Sequence, residues 1–327
     1  MTTRDAVLAA LRTAGGEGVS GEALAQVLGV SRVAVGKHVA ALRDAGYDIA
    51  AEPGVGYRLL AVPDGPLPSE VSALLRGVEW MHLTGGGETG STNDDARVLA
   101  RAGAAEGTVV LASRQRAGRG RLGREWASPD GGVYLSIVLR PQVPPSQVAP
   151  LALVIGLGVA RGLRDAFGIA VSLKWPNDVL LGGGKLAGVL LEMAAETDRV
   201  DWVVAGVGLN VRRTDGIAVS PTAATLDDTV PGVPVASAAA SLLQGIAQVY
   251  GVWSESGFGA LREGYEACCS LLGQEVAVRD MAGAVKSAGR MVGVDDEGRL
   301  LVASNGGVEA VSAGEVTLRR PESQGFA

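Results

Sequence analysis

The chain has 327 residues, 47% apolar and only 4% aromatic, and a formal charge of −6. That length predicts two to three domains, and the acidic balance excludes a surface coated for nonspecific nucleic-acid binding, so any DNA contact must come from a local patch. His38 and His82 are the only histidines and stand in different segments, which excludes a histidine triad or a multi-histidine metal cage.

The N-terminus carries no signal-peptide pattern, and the longest apolar run, residues 151–160, is too short to span a bilayer. A cytoplasmic protein without a membrane partner is expected. Cys268 and Cys269 are adjacent, without C-x-x-C spacing, and read as a buried structural pair.

Residues 1–62 read as a separate unit. Thr3 can cap a first helix, Ser20 a second that closes at Gly29, and Ser31 a third that runs through Ala45. Two short helices joined by a glycine turn are a helix-turn-helix signature. Residues 47–60 read as a hairpin turning at Pro53-Gly54, which would make the unit winged. The third helix is locally basic, with Arg32, Lys37, His38 and Arg43 against Asp44. That suits a recognition helix on DNA, with Ser31, Arg32, Lys37 and His38 as candidate contacts.

Three prolines and a glycine between residues 61 and 69 mark a linker. Residues 69–270 then predict a second domain. A helix is expected at 69–76, a strand at 78–83, a glycine-rich loop at 84–90 and a helix at 92–101. Strands at 107–112 and 132–139 follow, then an apolar helix near 148–167. Strands return at 171–174, 179–181, 185–193 and 200–211, and helices between 233 and 269. Elements that mix without strict alternation predict α+β: a mixed sheet flanked by helices. From 273 to 320 the pattern is short β segments (275–279, 288–294, 300–303, 308–311 and 316–319), a spacing that suggests a small β-barrel.

One loop concentrates the chemistry. Arg114, Arg116, Arg119, Arg121 and Arg124 fall within eleven residues that hold no carboxylate, interleaved with Gly118, Gly120 and Gly123. Such a run repels itself when empty, and an anionic ligand would relieve the repulsion. The glycines spell G-x-G-x-x-G, but no helix opens after the last one, so the dinucleotide reading fails. Gly182-Gly-Gly-Lys185 looks like a P-loop, yet Leu186 stands where Ser or Thr should follow.

Gly118-Arg-Gly-Arg-Leu-Gly-Arg-Glu-Trp126 resembles the G-R-G-R-x-G-R-x-W loop of biotin–protein ligases. Ser91-Thr92-Asn93, Lys174-Trp-Pro-Asn-Asp178 with Lys185-Leu-Ala-Gly188, and Gly206-Val-Gly-Leu-Asn210 follow the family's order. Residues 31–38 also resemble the recognition helix of those members that double as repressors. The resemblance runs from the N-terminus to about Arg320 and implies an SH3-like fold for the C-terminal barrel.

It further implies the reaction. Biotin's carboxylate attacks the α-phosphate of MgATP, giving biotinyl-5′-AMP and pyrophosphate. A lysine of a biotin carboxyl carrier domain then takes the biotin and releases AMP. By resemblance, Ser91, Thr92, Asn93, Gln115, Arg119, Gly120, Arg121 and Lys185 bind biotin, with Lys185, Arg121 and Arg119 the catalytic group. Trp126, Asn177, Asn210, Gly118 and Gly123 meet the nucleotide. ATP, biotin and Mg2+ are the implied ligands, with no dedicated metal site among the residues. Operator DNA and a ligand-promoted homodimer are the implied partners.

Each residue also has a plainer use: Ser91 as a helix cap, Trp126 and Trp175 as core aromatics, Asn177 as a turn residue, and Gly206 and Gly208 as close-packing positions. Two other functions stay open at this point. One is a ligand-sensing repressor that has lost ligation. The other is a lipoate–protein ligase, although Gly131-Gly132 lack that family's paired arginines and third glycine.

Overall fold

The computed structural model describes residues 2–214, 223–280 and 282–318. The chain divides into two compact units, Met1–Asp64 and Gly65–Ala327.

The first unit is three helices and a hairpin: α1 (Thr3–Thr13), α2 (Gly21–Leu28), α3 (Arg32–Asp44), β1 (Asp48–Glu52) and β2 (Gly56–Ala61). Thr2, one residue before the expected Thr3, caps α1 in a reciprocal capping box with Asp5. Ser20 and Ser31 accept from Ala23 N and Ala34 N at 3.0 and 3.1 Å, and Gly29 closes α2 in the left-handed conformation. Val7, Leu8, Leu11, Leu24, Val35, Val39 and Leu42 are buried, as are Tyr47 and Ile49 from the hairpin. This periodic apolar face holds the turn between α2 and α3 in place.

The second unit begins with α4 (Pro68–Leu74), β3 (His82–Gly85), β4 (Glu88–Thr89), α5 (Thr92–Arg101), β5 (Thr108–Ala112), β6 (Arg114–Gln115) and β7 (Gly132–Leu139). It continues with α6 (Leu151–Phe167), β8 (Ser172–Lys174), β9 (Asp178–Leu181), β10 (Gly184–Ala195), β11 (Val200–Asn210), α7 (Val235–Ser256) and α8 (Arg262–Cys268). The strand expected at 78–83 forms only from His82. Before it, a turn closed by Met81 N to Val78 O at 3.0 Å buries both side chains.

Seven strands make one mixed sheet in the order β3-β5-β7-β11-β10-β9-β8, with β3 parallel to β5 and the other neighbours antiparallel. One face packs α5 through Ala96 and Ala100 against Val110, Val138, Trp202 and Val204. The larger core, on the other face, takes in α6 and α7. These two helices touch backbone to backbone: a Cβ on Gly162 would sit 2.1 Å from Ser241 O, and one on Gly245 2.2 Å from Gly158 O. By length and composition both α7 and the segment ending in α6 could cross a membrane, which corrects the expectation of no sufficient apolar stretch. Most of each is buried inside the protein, where they serve as core helices.

The C-terminal strands β12 (Glu275–Arg279), β13 (Val285–Val294), β14 (Leu300–Ser304), β15 (Gly307–Val311) and β16 (Glu315–Leu318) form an antiparallel sheet in the order β15-β14-β13-β12-β16. Its Val276, Val278, Met291 and Val316 join the same apolar core as α6 and α7. Arg319 and Arg320, at the end of the expected barrel, lie outside the described residues.

Candidate functional site

Two loops are set side by side by a two-residue parallel pairing, Glu88↔Arg114 and Thr89↔Gln115. One leads into α5, the other is the arginine loop. They close over a cleft of about 970 Å3, its mouth included, whose floor is β10 and β11.

The arginine loop folds back on itself. Arg119 bridges Glu125, Gly120 N donates to Arg124 O at 2.7 Å, and Trp126 N to Gly118 O at 2.9 Å. Its tip is a tight turn with Leu122 (φ 59) and Gly123 (φ 70) both left-handed. Only Gly123 of the three glycines uses the positive φ. Gly118 is required by proximity, because a Cβ there would meet Ser128 Oγ at 2.4 Å and Trp126 O at 2.5 Å. Neither lines the cleft, whereas Gly120 does.

The first turn of α5 supplies the polar wall. Ser91 is its N-cap position yet makes no side-chain cap bond, and it lies 3% exposed against the cleft. Capping therefore does not account for this serine. Gln115 Oε1 accepts from Thr92 N (2.8 Å) and Thr92 Oγ1 (3.1 Å), and Gln115 Nε2 donates to Ser128 Oγ (2.9 Å). Asn93 Nδ2 donates to Glu192 Oε2 at 3.0 Å, and Ser136 Oγ donates to Asn93 Oδ1 at 2.6 Å. A Cβ on Gly206 would sit 2.1 Å from that same Asn93 Oδ1, so this glycine makes room for the amide. The network fixes which donors and acceptors face a ligand.

Lys185 and Trp126 meet over the floor. The ammonium lies 2.6 Å from Asp178 Oδ1 and 5.2 Å from the indole centroid. The indole lies across Gly188 and Gly208, which face each other in the β10–β11 register. Any side chain at Gly208 would meet Trp126 Nε1 at 2.5 Å. That indole N–H is buried against Gly208 without a hydrogen-bond partner among the described residues. Lys185 follows the Gly182-Gly183 turn of a β-hairpin, so the P-loop resemblance has no structural counterpart. Asn177 Nδ2 donates to Val189 O at 2.9 Å, tying the β8–β9 turn to the floor. Trp175 is 2% exposed and donates to Gly298 O at 3.0 Å, so it is a core residue with an edge on the cleft.

The self-repulsion expected of five arginines is answered by carboxylates from elsewhere in the fold. Arg119 donates to both oxygens of Asp94, at 2.6 and 2.8 Å, with Glu192 at 3.6 Å. Arg124 pairs with Glu315 on β16. Arg116 and Arg114 lie 3.4 and 3.7 Å from Glu88 and Asp130. The hydrogen bond from Arg119 holds the Asp94 carboxyl below its ordinary value, and the one from Arg124 does the same for Glu315. Arg121 differs. Half-buried, it reaches only Gly314 O at 3.4 Å and Asn177 Oδ1 at 3.5 Å, with no carboxylate partner among the described residues. Burial pulls its pKa down, a shift that the more distant carboxylates of Asp178 and Glu315 oppose.

The cleft thus gathers Ser91, Thr92, Asn93, Gln115, Arg119, Gly120, Arg121, Trp126, Asn177 and Lys185. Asn210 does not line it. Its amide nitrogen instead donates to Lys185 O (3.3 Å) and Ala224 O (3.2 Å). Sequence reading left open the roles of Asp178 and Gly208 and passed over Asp94, Glu192, Ser136 and Glu315. A serine inside the apolar run 132–139 was the one visible signal among these. In the first unit, Ser31 is spent as a cap, Arg32 and Lys37 are exposed, and His38 is half-buried. Arg43 turns away from the basic patch and donates twice to Ile49 O, at 2.9 and 2.6 Å.

Comparison with known proteins gives three family matches. The biotin/lipoate A/B protein ligase family matches residues 89–210, an HTH domain matches 3–58, and the biotin protein ligase C-terminal domain matches 271–319. The chain is 34% identical over 327 residues to the bifunctional ligase/repressor BirA of Bacillus subtilis, covering 97% of this chain and 99% of that protein. It is 33% identical over 319 residues to the protein of that name from Escherichia coli, covering 94% and 95%. The biotin protein ligase of Aquifex aeolicus, solved with biotin and ATP, is similar in structure with a TM-score of 0.62 and 30% identity. That match covers 74% of this chain and 99% of the other.

Proposed function

The chain belongs to the biotin–protein ligase family, among its bifunctional ligase/repressors, and from that premise we propose how its cleft does the work. It is an ATP-dependent ligase that makes biotinyl-5′-AMP from biotin and transfers the biotin to a lysine of a biotin carboxyl carrier domain. It also acts as a repressor through its helix-turn-helix. The observation that carries the reading is Arg121, a cation lining the same cleft as Lys185 with no ion-pair partner among the described residues.

The polar wall of Ser91, Thr92, Asn93 and Gln115 takes biotin's ureido group, with donors and acceptors already fixed in direction. Arg121 and Lys185 face the carboxylate and the α-phosphate. As a carboxylate oxygen attacks phosphorus and pyrophosphate leaves, the two cations stabilise the growing negative charge. Trp126 supplies an aromatic face for the adenine. In the second half-reaction the carrier's lysine amine attacks the anhydride carbonyl and AMP departs. Gly188 and Gly206 keep the floor low enough for a ligand to lie on it. Asn210, Gly118 and Gly123 act through the backbone that carries these groups.

Magnesium arrives with ATP. Among the described residues no cluster of three His, Cys, Asp or Glu could cage a metal. Mg2+ is commonly held by substrate phosphates, water and one or two carboxylates; of the cleft carboxylates Glu125, Asp178 and Glu315, Asp178 would contribute the oxygen it does not give to Lys185.

The hairpin β1–β2 supports a winged motif, and the five C-terminal strands support a small SH3-like barrel. Residues 1–62, 69–270 and 273–320 serve as DNA-binding, catalytic and barrel domains, in a cytoplasmic protein that dimerises when the adenylate is bound. Arg32, Lys37 and His38 carry the DNA contacts. Incubating the protein with MgATP, biotin and an apo carrier domain, then weighing the carrier, tests the ligase. A gain of one biotinyl group is expected, and an unchanged carrier mass would refute it. A lipoyl gain with lipoate would favour the sister activity of the family.

A further inference from the structure

The arginine loop is anchored at both ends by carboxylates from different parts of the second unit. At one end, Arg119 donates to both oxygens of Asp94 on α5, which Arg97 also binds, and both arginines lie 3.6 Å from Glu192. At the other, Arg124 pairs with Glu315 on β16. Between them Arg121, half-buried over the cleft, keeps among the described residues two long contacts to neutral oxygens. A guanidinium has five donors in a fork that fits a carboxylate or phosphate. Arg119 has already spent its fork on Asp94, whereas Arg121 has not.

We propose that Asp94 and Glu315 are positioning residues for the ligase reaction, which hold the loop by Arg119 and Arg124 so that Arg121 alone is offered to the substrate's anionic groups. The inference rests on the ligase reading given above and narrows it: Arg119 acts by fastening the loop, not by binding the substrate. Without these anchors, five cations within eleven residues would push the loop off the cleft. Asp94 follows Ser91, Thr92 and Asn93 in one helical turn. The residue that fastens the loop therefore shares a rigid element with the polar wall beneath it. Glu315 makes the C-terminal sheet a structural part of the site, alongside Val316, which also lines the cleft.

Two readouts on the full chain test this. The first is digestion of the empty protein by trypsin at the loop arginines, followed by fragment mass. Asp94→Asn and Glu315→Gln should each raise loop cleavage about tenfold, and Asp94→Glu should return it towards the wild-type rate. The second is the rate at which adenylate formed from biotin and MgATP is released, in a cycle with Arg119→Gln. Both Asp94→Asn and Arg119→Gln should speed release about tenfold, and the double variant should release no faster than either. Wild-type cleavage rates in both carboxylate variants would overturn the proposal. So would full additivity in the cycle, which is also the signature of a general loss of stability. If the wild type forms no adenylate, the ligase reading falls, and the digestion still reports on the anchors.

Discussion

Lys185 and Asp178 are joined across the β9–β10 hairpin, with Nζ 2.6 Å from Oδ1. The carboxylate pins the ammonium above the floor, while the Trp126 ring covers one side of it. A cation held this way meets developing charge without reorganising first. Lys185→Ala should lower the rate of pyrophosphate exchange about 100-fold, the scale of losing one preorganised donor. Biotin affinity, measured by calorimetry, should change only a few-fold. Exchange at the wild-type rate with collapsed biotin binding would make Lys185 a ground-state ligand only.

Arg121→Gly removes the one loop arginine without a carboxylate partner among the described residues. A charged hydrogen bond contributes about 1.5–3 kcal/mol, so adenylate release should quicken by roughly 10- to 150-fold. Free adenylate then acylates lysines indiscriminately. Mass spectrometry of a mixture of the carrier and a bystander protein should show label on both. Label confined to the carrier would remove Arg121 from the grip on the adenylate.

Gly206→Ala places a methyl 2.1 Å from Asn93 Oδ1. The amide must move, breaking its bonds with Ser136 and Glu192, at a cost typical of overpacking, about 1–3 kcal/mol. The expected outcome is weaker biotin binding and a lower unfolding temperature. Wild-type values of both would show that the amide relocates freely.

Acid should release the arginine loop. The folded-state pKa values of Asp94 and Glu315 lie below their ordinary ones because of their arginine partners. Each anchor therefore contributes above the ordinary carboxylate range and is lost as pH falls through the lowered folded-state value. Hydrogen exchange of the loop amides, corrected for intrinsic rates, should stay slow at pH 5 and rise below about pH 4. Protection that survives well below that range would mean the backbone bonds alone hold the loop.

Deleting residues 1–62 should abolish sequence-specific DNA binding while leaving a folded ligase, because the two compact units part at Asp64 and a proline-rich linker follows. Specific binding retained by the truncated chain would contradict the assignment of DNA contacts to Arg32, Lys37 and His38. A large loss of ligation would instead show that the first unit supports the active site.

What the sequence settled was whatever acts at short range. Ser20, Gly29 and Ser31 could be read as helix ends because a cap bonds backbone only three residues away. The 132–139 and 200–211 segments could be read as strands because residues buried on both faces leave an apolar run. The order of the four motif blocks named the family.

The tertiary structure decided which of those residues serve the ligand and which serve each other. Arg119 finds Asp94 across 25 positions and Arg124 finds Glu315 across 191, so no local spacing could pair them. Asn210 looked like its motif neighbours but does not line the cleft, because its amide nitrogen is spent on the carbonyls of Lys185 and Ala224. Among the described residues, five like arginines in the sequence became four in ion pairs and one in none only once the fold had brought its carboxylates round them. Charge compensation depends on distance in space, which folding sets and sequence order does not.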